Sequence, residues 1–247
     1  MTDLFSLGHL NLKEISQRGN DTIGSAGVAV VGLGGTGSLA AQLFVRAGFG
    51  HVTVIDHDVV NPTNLQRQIN YFHGSSHKWK AEETAALLSQ IRNDVKVSAV
   101  RESLGSDNLS RVLSGHDIIF DGTDNMLARK LINEFSVAEG IPWVFTSAIG
   151  MNGQFKAVIP GKTSCLTCMT GNSIVDEGGC SALGVLNSIP SIVSALAYTK
   201  ALRIILGEEE KGEIHFINAW NMAMEKVMVN RNSECRTCSH HDYEYLT

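Results

Sequence analysis

The run Gly27-Val28-Ala29-Val30-Val31 passes directly into Gly32-Leu33-Gly34-Gly35-Thr36-Gly37, and a helical stretch from Ser38 to Gly48 follows. No other feature restricts the fold as much. A short, unbroken, valine-rich run suits a strand buried on both faces, as in a parallel sheet covered by helices. The glycines allow a tight turn and close helix packing. They also let backbone N–H groups approach an anion held at a helix N-terminus. One such unit cannot bury its strand alone, so it requires further parallel strands joined through helices.

The chain supplies them. His51-Val52-Thr53-Val54-Ile55-Asp56 reads as the next strand, residues 80–93 as a helix, and Val95 to Val100 as a strand. Residues 107–114 read as a helix, Asp117-Ile118-Ile119-Phe120-Asp121 as a strand, 126–139 as a helix and Pro142 to Thr146 as a strand. Beyond residue 150 the alternation stops. Gln154 to Ile159 reads as an antiparallel or edge strand, and residues 170–180 have the glycine-rich, acidic composition of a mobile loop. Residues 190–206 read as an apolar helix opened by Pro190, and 213–229 as strands. The expected fold class is α/β: one domain over residues 1–247, with a Rossmann-like, doubly wound, mainly parallel sheet continued by antiparallel strands.

Of the 247 residues, 43% are hydrophobic and 18% charged, which excludes a disordered or collagen-like chain. A net charge of −5 without a Lys/Arg cluster argues against nucleic-acid binding as the main role. No uninterrupted apolar stretch reaches the ~18 residues of a membrane span. Met1-Thr2-Asp3-Leu4 lacks the basic start of a signal peptide, so a cytoplasmic protein is expected.

Asp56 ends its strand 19 residues after Gly37, where an acid can bind ribose hydroxyls. Loop and acid together indicate a nucleotide and leave NAD, FAD and ATP open. The segment from Asp56 through Asp58 and Asn64 to Arg67 and Gln68 narrows the choice. Hydride transfer develops no charge on phosphate, whereas attack on the α-phosphate of ATP accumulates negative charge on phosphoryl oxygens. Arg67 offers a planar fork to phosphate and Lys80 a second cation. Read alone, the segment fits a solvated loop equally well. Asp124, just past the strand ending at Asp121, is either a carboxylate for Mg²⁺ or the N-cap of the next helix.

Cys165-x-x-Cys168 and Cys235-x-x-Cys238, with 66 residues between the pairs, can supply four thiolates to one Zn²⁺. Such a site is closed, hence structural. A redox pair is the alternative, but redox chemistry does not require two copies. Cys180, in Gly-Gly-Cys-Ser, is either a small core residue or a nucleophile. Packing is expected of Trp79, Trp143 and Trp220, and a solvated tail of His240 and His241. Ser147 lacks the Gly-x-Ser-x-Gly setting of a serine nucleophile.

The glycine loop, Asp56-x-Asp58, Asn64-Leu65-Gln66-Arg67-Gln68, Lys80-Ala81-Glu82, Asp121-Gly122-Thr123-Asp124-Asn125, Gly153-Gln154 and both cysteine pairs together resemble the ThiF/MoeB/HesA family. Members are relatives of ubiquitin-activating enzymes, and the resemblance spans residues 24–240. It implies a reaction. ATP and Mg²⁺ bind, and the C-terminal Gly-Gly carboxylate of a small ubiquitin-like sulfur-carrier protein attacks the α-phosphate. An acyl-adenylate and pyrophosphate result, for thiamin, molybdopterin or tRNA-thiolation chemistry. By position, the resemblance puts Gly32, Gly34, Gly35, Gly37, Asp58 and Gln68 in the nucleotide site and Asp56 on the ribose. It puts Asn64, Arg67 and Lys80 on phosphates, Asp124 on Mg²⁺, and Cys180 in a sulfur or thioester link with the carrier. Residues 1–26 then form an arm, 27–150 the nucleotide-binding half, and 151–247 the carrier-binding and zinc-bearing half. A homodimer is expected, a reading to which the apolar helix 190–206 also points.

Two departures stand out. Residues 1–26 lack the Arg-Tyr-x-Arg-Gln run whose arginine usually reaches the partner subunit's site, and Arg18 is a weak substitute. His77-Lys78-Trp79-Lys80 lacks the usual proline before the lysine, so Lys78 competes with Lys80. Three other functions remain open. The same fold can adenylate a peptide or a modified tRNA base, or serve as a non-catalytic nucleotide- or carrier-binding scaffold. An NAD-dependent oxidoreductase fits the glycine loop and Asp56 but leaves Arg67, Asp124 and the cysteines unexplained.

Overall fold

β1 (Gly27–Val31) is buried along its whole length, as its apolar run requires. The computed structural model, which describes residues 4–171 and 184–246, sets it among β2 (His51–Ile55), β3 (Lys96–Val100), β4 (Ile118–Asp121) and β5 (Trp143–Ile149). These strands are parallel, in the order β3-β2-β1-β4-β5. Strands β6 (Asn152–Val158), β7 (Glu213–Asn218) and β8 (Ala223–Met228) extend the same sheet beyond β5 in antiparallel fashion. Gln154 therefore lies in an interior strand, hydrogen-bonded on both sides, and the edge falls to β8.

Helices α1 (Leu7–Leu10) and α2 (Ser16–Ser25) precede β1. Next come α3 (Gly35–Ala47) after β1, α4 (Lys80–Ile91) after β2, α5 (Leu109–Leu113) after β3, and α6 (Met126–Glu139) after β4. α7 (Leu166–Thr170) and α8 (Ser188–Ile205) lie between β6 and β7. Alternate strand residues point to opposite faces, and two cores follow from this. Val28 and Val30 pack with Phe44 of α3, Leu88 of α4 and Val193 of α8. Ala29 and Val31 pack with Val112 of α5, Phe135 of α6 and the buried cysteines Cys165 and Cys235.

α3 starts three residues before the expected Ser38, with Gly34 as its N-cap. Only Gly32, at φ +80°, makes the turn; Gly37 already belongs to the helix. A β-carbon on Gly37 would stand 1.8 Å from the Gly32 carbonyl oxygen, so glycine there lets the helix close on the strand end.

Two expectations change. Trp143 is fully buried and Trp79 is half-buried beneath Arg101, but Trp220 is 68% exposed at the β7–β8 turn, where no layer covers it. The apolar residues of α8, Ile189, Val193, Ala197 and Ala201, belong to the core of this chain's own sheet. That helix therefore gives no support to a dimer interface. Cys180 and residues 172–180 of the 170–180 segment lie outside the described residues. Among the described residues no helix is long and apolar enough to cross a membrane.

α8 can lie on β6 because residue 153 has no side chain: a β-carbon there would come within 2.2 Å of Val193 Cγ2. Gly153→Ala is expected to lower stability by ~1–3 kcal/mol through overpacking. Val193→Ala in the same chain should recover part of that loss. Chemical denaturation of the single and double variants measures the coupling, and strict additivity would contradict this packing account.

Candidate nucleotide site and cysteine cluster

The order β3-β2-β1-β4-β5 reverses direction between β1 and β4, and ligands of open α/β sheets bind outside the strand ends at such a point. A cavity of about 220 Å³ opens there. It is lined by Gly32, Gly34, Gly35 and Thr36, by Asp56 and Asp58, by Arg67, Gln68 and Lys80, and by Thr123 and Asp124, with Thr146 and Ser147 from β5. Gly34 to Thr36 present the N-terminus of α3, where unpaired N–H groups and the helix dipole favour an anion.

Asp56 is nearly buried at the end of β2. One carboxylate oxygen accepts from Leu33 N–H at 2.7 Å and the other from Asp58 N–H at 2.8 Å. Burial raises its pKa, while Lys80 and the two N–H groups oppose the rise. Each oxygen keeps a second lone-pair direction for an incoming hydroxyl.

Arg67 is delivered by a segment pinned from below. The buried Tyr71 hydroxyl donates to the Leu33 carbonyl at 2.9 Å, and Asn70 accepts from Gln42 at 2.8 Å. Among the described residues the Arg67 guanidinium makes only a long contact, 3.3 Å, to the Thr63 carbonyl. Gln68 is 4% exposed, lines the cavity, and its amide oxygen has no partner among the described residues. A buried acceptor without a partner in a cavity wall fits a polar ligand there.

The structure also decides between the two lysines. Lys80 is buried, lines the cavity and pairs with Asp58 Oδ2 at 2.9 Å. Lys78 is 59% exposed, pairs with Glu83 at 3.2 Å and does not line the cavity. Lys80 opens α4, where a cation opposes the helix dipole, so its position is not explained by helix stability.

Asn125, not Asp124, caps α6, accepting from Leu127 N–H at 2.8 Å and Ala128 N–H at 3.3 Å. Asp124 stays exposed at the cavity, with no hydrogen bond or ion pair among the described residues. Beneath it, Asp121 is fully buried; burial raises its pKa, opposed by Arg129 and Thr123. Arg129 donates to Asp121 at 3.3 Å and to the Thr146 carbonyl at 2.9 Å, tying the ends of β4 and β5.

Two expected residues are placed elsewhere. Asn64 does not line the cavity; its side-chain oxygen accepts from Asn61 N–H at 3.1 Å in a small capping box. Gly37 packs against Gly32 and does not line the cavity either. Arg18 is exposed on α2, away from the cavity lining. Sequence reasoning missed Arg129 and Glu102, both in the lining. The signals were there: Arg129 stands one helical turn after Asn125, and Glu102 follows β3 as Asp56 follows β2.

On the face of the sheet that packs against α5 and α6, the four paired cysteines converge. Cys165 Sγ lies 3.8 Å from Cys168 Sγ and 3.6 Å from Cys235 Sγ, and Cys168 Sγ lies 3.4 Å from Cys238 Sγ. All four ligand atoms fall within 4.8 Å of one another, and the cysteines are not disulfide-bonded. A tetrahedron with Zn–S bonds of ~2.3 Å has edges of ~3.8 Å, so the spacing and the donor set both fit that ion.

Comparisons with known proteins identify the family. A ThiF family model matches residues 7–237. The chain is 32% identical over 236 residues to the SAMP-activating enzyme E1 of Haloferax volcanii, covering 93% of this chain and 86% of that one. It is 28% identical over 229 residues to the sulfur carrier protein ThiS adenylyltransferase of Escherichia coli, covering 92% and 91%. Among solved structures, E. coli MccB with MccA-N7isoASN superposes with a TM-score of 0.79 at 19% identity, over 89% of this chain and 68% of that one, which speaks for the fold alone. With the family model spanning residues 7–237 and a relative 32% identical over 93% of its length, the chain belongs to the ThiF family.

Proposed function

We propose that this protein is an ATP-dependent adenylyltransferase that activates the C-terminal Gly-Gly carboxylate of a small ubiquitin-like sulfur-carrier protein. The observation that carries the reading is one cavity lined by Arg67 and Lys80 together with a carboxylate, Asp124, that has no partner among the described residues. Hydride transfer has no need of that set; phosphoryl chemistry does. The relatives' names, a SAMP-activating E1 and a ThiS adenylyltransferase, support the choice of carrier.

ATP enters with its ribose at Asp56 and its phosphates at the N-terminus of α3. The carrier carboxylate forms a bond to the α-phosphorus as the bond to the β-phosphate oxygen breaks, giving acyl-adenylate and pyrophosphate. Arg67 and Lys80 hold phosphate oxygens as their negative charge grows, and Gln68 accepts from the nucleotide in the cavity. Asp124 is a hard oxygen donor suited to Mg²⁺. Held there, Mg²⁺ would supply positive charge against the charge developing on the phosphates. Residues 27–150 thus carry the nucleotide, and 151–247 the carrier and a structural zinc held by Cys165, Cys168, Cys235 and Cys238. Cys180 then takes the activated carrier: its thiolate attacks the acyl carbon and AMP leaves.

Asp124→Ala is expected to slow adenylation roughly 10²-fold or more, the scale for one positioned electrostatic group. Its melting temperature should be unchanged, because the side chain has no partner to lose among the described residues. ATP–pyrophosphate exchange with the carrier checks the rate, and near-normal exchange would remove Asp124 from the reaction. Purified protein is expected to carry one zinc per chain by elemental analysis. Cys235→Ser should lose the metal and lower the melting temperature while still binding ATP; metal-free wild-type protein would reject the site. Cys180→Ser should keep pyrophosphate exchange but form no covalent carrier adduct, since a serine hydroxyl is hardly ionised at neutral pH. Mass spectrometry with carrier and ATP decides this, and an adduct persisting in the variant rules Cys180 out.

A further inference from the structure

The adenylation site leaves one buried charge unexplained. Lys156, in the middle of β6, is completely buried. Its cross-strand partner Phe145 and its neighbour Val158 both belong to the core that contains Cys165, Cys235 and Cys238, so its side chain is on the face of the cysteine cluster. The ammonium donates to the Gly212 carbonyl, its one hydrogen bond among the described residues. A β-carbon on Gly212 would lie 3.5 Å from Lys156 Nζ and 3.2 Å from Thr163 Cβ. The ammonium therefore stands against the chain just before Cys165.

The nearest buried carboxylate is already engaged. Lys200 Nζ meets both Glu210 carboxylate oxygens, at 2.8 and 2.7 Å, and the two satisfy each other. Lys156, Lys200 and Glu210 thus leave one positive charge over, in surroundings where an unpaired ammonium is costly. Burial pushes Lys156 down to about 8, with Lys200 adding to the effect; Glu210, Cys168 and Cys165 work against it. Four thiolates around one Zn²⁺ carry a net charge of about two minus.

We propose that Lys156 is the internal counter-ion of the four-cysteine site, a positioning residue that strengthens metal binding without touching the metal. It rests on the zinc reading above and adds a residue that the cysteine spacing does not reveal. Partners of this kind, one layer outside the ligands, typically change metal affinity by ~10–100-fold.

The test uses the full chain and Zn²⁺ alone, in competition with a chromophoric chelator. Two variants are compared with wild type: Lys156→Met, which keeps the volume and removes the charge, and Lys156→Gln, which also keeps a donor for Gly212. Both are expected to release zinc at ~10-fold lower chelator concentration or less. Their metal-free forms should unfold at or above the temperature of metal-free wild type, because a buried unpaired charge has gone. Opposite movement of affinity and apo stability is the signature that a mere packing role would not give. Zinc affinities equal to wild type, or metal-free variants destabilised as much as the loaded ones, would overturn the proposal. The glutamine variant carries the test if the methionine variant does not fold. Wild-type protein that takes up no zinc would instead overturn the zinc reading, and this inference with it.

Discussion

Three backbone segments touch at Gly32, Gly37 and Gly122, and the rest of the site depends on that contact. A β-carbon on Gly37 would meet the Gly32 carbonyl oxygen at 1.8 Å, and one on Gly122 would meet the same oxygen and Gly37 N at 2.7 Å. No larger residue fits without separating the end of β1, the start of α3 and the end of β4. Their closeness puts the positive end of the α3 dipole over the point where the strand order reverses, beside Asp56 on one flank and Asp124 on the other.

Around this contact the charges fall into two groups. Asp121 and Arg129 serve the scaffold: they are buried, hydrogen-bonded to one another and to backbone, and they join β4 to β5. Asp124 and Arg67 have almost no internal partners and face the cavity. Asp56 and Lys80 belong to both groups. Asp56 fixes the glycine loop through Leu33 N–H yet keeps free lone pairs, and Lys80 is steadied by Asp58 at the edge of the cavity. A cation such as Lys80, held in place before substrate arrives, needs little reorganisation when charge develops.

The antiparallel half is built on different physics. β6, β7 and β8 continue the sheet, but on the α5–α6 face sulfur and a few charges take the place of part of the apolar core. The cysteines come from the start of α7 and from the segment after β8, so a metal between them would join chain segments that share no ladder hydrogen bonds. Lys156 belongs to this arrangement: a strand that buries an ammonium is tolerable only where negative charge is close by.

Much of this was legible in the sequence. The order of strands and helices up to residue 150, the boundaries 126–139 of α6, the antiparallel continuation and the cysteine pairing partners all follow from apolar periodicity and short motifs, which are local properties. The sequence left open whether Asp124 or Asn125 caps α6, whether Lys78 or Lys80 faces the nucleotide, and what α8 covers. Those are questions of direction in space. They were decided by the packing of α8 on β6 at Gly153, by the pairing of Lys80 with Asp58, and by which side chain of a neighbouring pair accepts from the free N–H groups of the helix. Trp220 shows the same limit from the other side: residue type announced a packing role, and position at a turn removed it. Sequence alone determined which chemistry the chain carries. Tertiary structure decided which atoms are free to perform it, because a side chain's availability depends on what the rest of the chain leaves unpaired around it.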